Sequence, residues 1–210
     1  MSDNEPARAP KLGRPGIDRQ AVLDVAVAAF IEHGYDATSM EMLATRLGLS
    51  KAAIYHHFPA KGQLLGEALD NALSGLEGVL LEDGARDGTP EERLAFVVRG
   101  AIRVLVDRLP YVTLLLRVRG NTDIERAALA RRRAFDHAVT ALVVEARDSG
   151  SVRADIQPAV VTRLLFGMIN SIVEWYQPGG KESADQLATD VLAMALTGLS
   201  ANEGPATRLR

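Results

Sequence analysis

The chain has 210 residues, 47% hydrophobic and 24% charged, with a formal net charge of −3. This balance suits an ordinary globular protein with material for a core. It excludes attraction to nucleic acid through bulk charge, so any DNA binding must come from a local basic face. Cysteine is absent, which excludes disulfides and thiolate metal sites and points to a reducing cytoplasm.

Residues 1–16 are polar and rich in Pro and Gly, with Arg8, Lys11 and Arg14. They lack the apolar run of a signal peptide and read as a flexible arm. No segment reaches the apolar length that spans a bilayer, and no membrane partner is expected. From Ile17 the pattern is helical: Val22, Leu23, Ala26, Val27, Phe30 and Ile31 recur at helical spacing. Asp18 is placed to cap this helix, Ile17 and Val22 to staple it, and Gly34 to end it. Thr38 and Glu41 have capping-box spacing and open a second helix through Leu47. Gly48 stops it, and Ser50 caps a third running to about His57.

Phe58-Pro59 closes this small domain, residues 17–60. A long helix from Lys61 to Leu81 opens the second domain, residues 61–200, and 82–90 reads as a loop. Further helices are expected at Glu91–Arg108, Tyr111–Arg119, Thr122–Asp148, Ala159–Gln177 and Ser183–Leu199. Their breaks fall at Pro110, Gly120-Asn121, Ser149-Gly150 and Pro178-Gly179-Gly180. Residues 201–210 form a tail. With no strand-period segment and no internal repeat, the expected fold is all α.

The second and third helices, parted by Gly48-Leu49, form a helix-turn-helix, in which one short helix enters the major groove while its neighbour braces it. Leu43, Leu47, Leu49 and Ile54 pack inward. That leaves Ser50, Lys51, Ala52, Ala53, Tyr55 and His56 outward.

The segment from Gly13 to Leu65 resembles the DNA-binding domain of the TetR family of repressors. The likeness rests on Ala29-Phe30, Gly34-Tyr35, Thr38-Ser39-Met40, Leu43-Ala44, Gly48-Leu49-Ser50-Lys51 and Ile54-Tyr55-His56-His57-Phe58. It implies that Ser39, Ser50, Lys51, Tyr55, His56 and Lys61 contact or flank phosphates. Ala52 and Ala53 would approach the bases, and Thr38 joins the DNA-binding candidates. Pro59-Ala60-Lys61-Gly62 departs from the family, which usually places a capping Ser, Asp or Asn just before this Lys. Gly13-Arg14-Pro15 resembles the core of a minor-groove hook through Arg14; a solubilising tail is the alternative.

The last two helices are apolar on more than one face, and a partner subunit is the simplest cover. Leu164, Met168, Ile172, Leu192 and Leu196 are the candidate homodimer contacts; a monomer burying both helices internally is the alternative. Arg131 falls in an apolar stripe with Ile124, Ala128, Phe135 and Val139. Such a charge needs an acid, an outlet to the surface, or a water-filled ligand cavity. The ending Trp175-Tyr176-Gln177-Pro178-Gly179-Gly180 resembles that of TetR-family regulators of fatty-acid, aromatic-acid and steroid breakdown, several of which respond to acyl-CoA thioesters. On that likeness Phe96, Leu114, Leu115, Phe135, Met168 and Trp175 are the candidate channel. Arg99, Arg103, Arg117 and Arg131 are the candidate cations for the phosphates.

An enzyme is the competing class. His33, His56, His57 and His137 are scattered, and there is no metal-ligand spacing, Gly-rich phosphate loop or nucleophile elbow. The expected function is a homodimeric cytoplasmic repressor. It would leave its double-stranded operator when a small apolar or amphipathic effector, an acyl-CoA among the candidates, fills the second domain. No cofactor or metal is expected.

Overall fold

The computed structural model describes residues 18–199. The 1–16 arm with its Arg14 hook, the Ile17 staple and the 201–210 tail lie outside that range. Helix α1 (Arg19–His33) starts where the Asp18 carboxylate accepts the Ala21 N–H at 2.7 Å. It ends at Gly34, whose φ of +85° favours glycine. Helix α2 (Met40–Leu47) ends at Gly48 in the left-handed conformation, with Leu49 N–H returning to Ala44 C=O at 2.9 Å in a Schellman closure. Helix α3 (Lys51–His57) follows after only three residues. Leu43 of α2, Ile54 of α3 and Phe58 are fully buried against the apolar face of α1. Burying one such side chain contributes about 1.5–3 kcal/mol, enough for a few to hold three short helices together.

Helix α4 (Lys61–Leu81) has no side-chain cap, as the Ala60 position implied. Its first half packs on α1 and its second half belongs to the body, so it is the shared axis of the two domains. The body continues through a 3-10 turn (Asp83–Ala85), α5 (Pro90–Asp107), α6 (Leu109–Arg117), α7 (Asp123–Asp148), α8 (Pro158–Trp175) and α9 (Ala184–Leu199). The segment read as a loop thus holds one short turn. Pro110 does not separate two helices but sits in the first turn of α6, where its missing N–H costs nothing. Helix α5 is central, flanked by α4, α7 and α9, while α8 packs on α7. Among the described residues there is no strand, and no helix is long and apolar enough to cross a membrane.

Head and body meet at polar joints. Tyr111 of α6 donates its hydroxyl to Asp24 of α1 and accepts from Gln20 at 2.6 Å. Burial and the Asp24 carboxylate push the Tyr111 phenol up to about 12. Arg19 pairs with Glu67 of α4 while its guanidinium lies 4.2 Å over the Phe58 ring.

Candidate nucleic-acid interface and effector cavity

The outer face of α3 is what the helix-turn-helix presents. Ile54 is fully buried, and Lys51, Ala52, Tyr55 and His56 on the other side are exposed; Ala53 is half-buried. Ser39 and Ser50 are the N-caps of α2 and α3, accepting from Met42 N–H at 3.1 Å and Ala53 N–H at 3.2 Å. A hydroxyl that accepts from its own helix still has a proton to donate, so capping leaves both serines able to meet a phosphate.

Two expected DNA contacts are corrected. Thr38 does not cap α2; its side chain is 1% exposed, and its hydroxyl lies on Gly34 C=O at 2.8 Å and Ala29 C=O at 3.3 Å. It cannot present a side chain to DNA without breaking the loop. Lys61 donates to Tyr35 C=O at 2.8 Å and Thr38 C=O at 2.9 Å, with its ammonium 4.3 Å over the Tyr35 ring. That lysine ties α4 to the α1–α2 loop, and its charge is already spent on carbonyls.

The charge of the head is committed inward elsewhere too. Lys51 sits 2.5 Å from Glu41, which raises its own pKa and holds the Glu41 carboxyl below the usual range. Arg46 pairs with Glu32 at 2.9 Å. These pairs are exposed and weak, so a phosphate can take the cation from its acid.

In the body, a cavity of about 30 Å³ lies among α4–α8, lined by Leu76, Leu105, Leu115, Phe135, Phe166 and Ile169, with Asp136 and Asn170 at its edge. Of the sequence-derived channel residues, Leu115 and Phe135 line it. Leu114 is buried beside a separate cleft between head and body. Phe96 lies in a groove between α4 and α5, pressed on Gly84, where an added Cβ would come within 2.4 Å of its ring. Met168 is half-buried on α8, and Trp175 is 53% exposed at the end of that helix.

None of the four candidate arginines faces this cavity. Arg131 donates to Glu77 through Nε (2.8 Å) and Nη2 (2.7 Å) and to Asp70 through Nη1 (2.8 Å), so the pairing alternative is the one realised. Arg103 pairs with Asp185 of α9 at 2.9 Å, and Arg117 donates to Ile31 C=O at the end of α1 at 2.8 Å. Arg99 is exposed in the α4–α5 groove. The cation beside the cavity is instead Arg132 of α7, which sequence reasoning missed. In the run Arg131-Arg132-Arg133, successive side chains point about 100° apart, and only the position of α8 shows which one borders the cavity.

The dimer candidates also divide. Leu164 is 63% exposed on α8, with Val160 one turn before it also exposed, and Met194, absent from the candidates, is 70% exposed on α9. Ile172 and Leu192 are buried in the protomer core and cannot meet a partner; they are corrected to core residues. Met168 and Leu196 are half-buried.

A family model for bacterial regulatory proteins of the tetR family matches residues 22–68. A model for tetracyclin repressor-like C-terminal domains matches 87–199. The chain is 53% identical to a TetR-family regulator of Streptomyces coelicolor A3 of known structure, over 87% of this chain and 90% of that one, with a TM-score of 0.78. It is 26% identical over 201 residues to the transcriptional repressor KstR2 of Mycolicibacterium smegmatis, covering 91% of this chain and 95% of that one. AibR, solved with isovaleryl coenzyme A and operator DNA, is 26% identical over 84% of this chain and 96% of its own, with a TM-score of 0.69.

Proposed function

The chain belongs to the TetR family of bacterial regulators, and from that premise we propose that it is a homodimeric repressor acting in the cytoplasm, released from its operator by an acyl-CoA effector. The observation that carries the reading is the outer face of α3, where Lys51, Ala52, Tyr55 and His56 stand exposed on a helix whose other side is locked by Ile54. A short helix so presented fits a major groove, with Ser39, Ser50, Lys51, Tyr55 and His56 on phosphates and Ala52 and Ala53 close to base edges.

Val160, Leu164 and Met194 support the dimer. Isolated protomers would leave these apolar side chains in water, and pairing α8 and α9 with their copies covers them. Two recognition helices about one DNA turn apart then read two half-sites. For the effector, support comes from the body cavity and from AibR, a relative that holds isovaleryl coenzyme A. The effector acts by binding one head spacing better than the other. Footprinting the promoter of the chain's own gene with the purified protein, then adding acyl-CoA thioesters, tests the reading. A protected palindrome that is lost on addition supports it, and absence of any protected site removes it.

A further inference from the structure

The core cavity has a second chamber. Arg132, Asp136, Phe166 and Asn170 border the 30 Å³ cavity on one side and, on the other, a vestibule of about 440 Å³ between α7 and α8. Arg133 of α7 and Arg163 of α8 add two more cations to its lining, which also holds His137, Thr140 and Thr162. The inner chamber is apolar except at that shared neck, and the outer one opens to solvent.

The cations of this lining differ from most others in the protein. Arg93 sits on Glu145, Arg103 on Asp185, Arg131 on Asp70 and Glu77, and Arg153 on Asp155. Among the described residues, Arg132, Arg133 and Arg163 have no carboxylate within 4.0 Å and no hydrogen-bond acceptor. Three guanidinium groups share the vestibule with one carboxyl, Asp136, whose charge burial disfavours; they repel one another, and an anion bound between them relieves that repulsion. The neck has a different chemistry. Burial pushes the Asp136 carboxyl up while Arg132 and His137 pull it down. With Asn170 opposite, it offers hydrogen-bond acceptors where a ligand passes from one chamber to the other.

We propose that the two chambers are one site for a coenzyme A thioester of a short acyl chain, with its phosphates on Arg132, Arg133 and Arg163. The acyl group occupies the inner chamber, and the amide groups of the pantetheine arm cross the neck between Asp136 and Asn170. The inner chamber sets the length. A dry cavity of about 150 Å³ is what accommodates benzene, and 30 Å³ is one-fifth of that, about one carbon, so even a short chain enters only as the chamber widens and fused rings are excluded. This assignment rests on the acyl-CoA reading above and supplies the residues and chain length that it lacks.

The test uses the full-length dimer, with melting temperature and operator release as separate readouts. Butyryl-CoA should raise the melting temperature and release the operator, while butyrate and choloyl-CoA at the same concentration do neither. Arg133→Gln with Arg163→Gln should weaken butyryl-CoA binding at least tenfold, while the unliganded variant melts no lower than wild type and keeps its operator affinity. Arg86→Gln, an exposed arginine far from the vestibule, should change nothing. Butyryl-CoA binding that survives the double substitution would overturn the site. Choloyl-CoA acting where butyryl-CoA does not would overturn the length. Absence of any butyryl-CoA effect overturns both, and release of the operator by some other compound would then leave the repressor itself intact.

Discussion

Arg131 and Glu77 meet fork to fork, Nε on one carboxylate oxygen at 2.8 Å and Nη2 on the other at 2.7 Å, joining α7 to α4. Asp70, two helical turns before Glu77, takes the remaining Nη1. Arg131 holds both carboxyls below their usual range, Glu77 against the opposing effects of burial and Asp70.

A lowered folded pKa means stability that is whole above the ordinary carboxylate range and fades as pH falls through the lowered values. Arg131→Met should therefore lower the denaturation midpoint at pH 7. The loss should be about 1 kcal/mol or less, because the guanidinium is one-third exposed and screened. The gap between wild type and variant should narrow below about pH 4, where free carboxyls protonate. An equal gap at pH 3 and pH 7 would assign the loss to packing instead.

Lys51 and Glu41 make opposite predictions for DNA. Lys51→Ala should weaken operator binding and flatten the dependence of log K on log salt by about 0.9, the contribution of one phosphate contact. Glu41→Gln frees the Lys51 ammonium from its 2.5 Å partner and removes an acid from the face. It should tighten binding at low salt. Filter binding across a salt series measures both; a Glu41→Gln variant that binds more weakly would mean Glu41 itself contacts the operator.

Thr38, Ser39 and Tyr55 separate fold from contact. Thr38→Val deletes a buried hydroxyl bonded to two carbonyls and should cost about 1–3 kcal/mol of stability. Ser39→Ala should cost about 1 kcal/mol as a lost N-cap. Tyr55→Phe should melt like wild type but bind operator about 0.5–1.5 kcal/mol more weakly. Unaltered binding by Tyr55→Phe would show that the hydroxyl is idle.

Leu164→Glu and Met194→Glu should each yield folded monomers, since both side chains stand in solvent on a single chain and would face each other only across a dimer. Leu192→Glu, at a core position, should instead unfold the protomer. Sedimentation paired with thermal melting distinguishes dissociation from unfolding. Dimers retained by both exposed-site variants would move the interface off α8 and α9.

Local chemistry made most of the helices readable. Asp18, Gly48 and Ser50 act within four residues of themselves, and each terminus came out where its residue type put it. Choices between neighbours were not local. Thr38 and Ser39 are both able caps, and contact with α1 decides which turns inward. Leu192 and Met194 are equally apolar, and only the position of α5 makes one core and the other surface. Arg131 and Arg132 share a helix turn, but α4 supplies acids to one and α8 a cavity edge to the other. A single sequence carries the periodicity of each helix without the angle at which its neighbours lie.

Lys61 fixes how the head can move. Its ammonium fastens the first turn of α4 to the carbonyls of the α1–α2 loop, while Arg19 fastens α1 to Glu67 further along the same helix. The head therefore has no free hinge at Phe58-Pro59 and turns with α4 as a wheel turns on its axle. Over 21 residues α4 is about 31 Å long, so a tilt of about 5° sweeps its end through about 3 Å. That sweep is close to the rise of one base pair, about 3.4 Å. In the proposed dimer, an effector that tilts this helix by a few degrees would carry two heads related by a two-fold rotation out of phase with the groove.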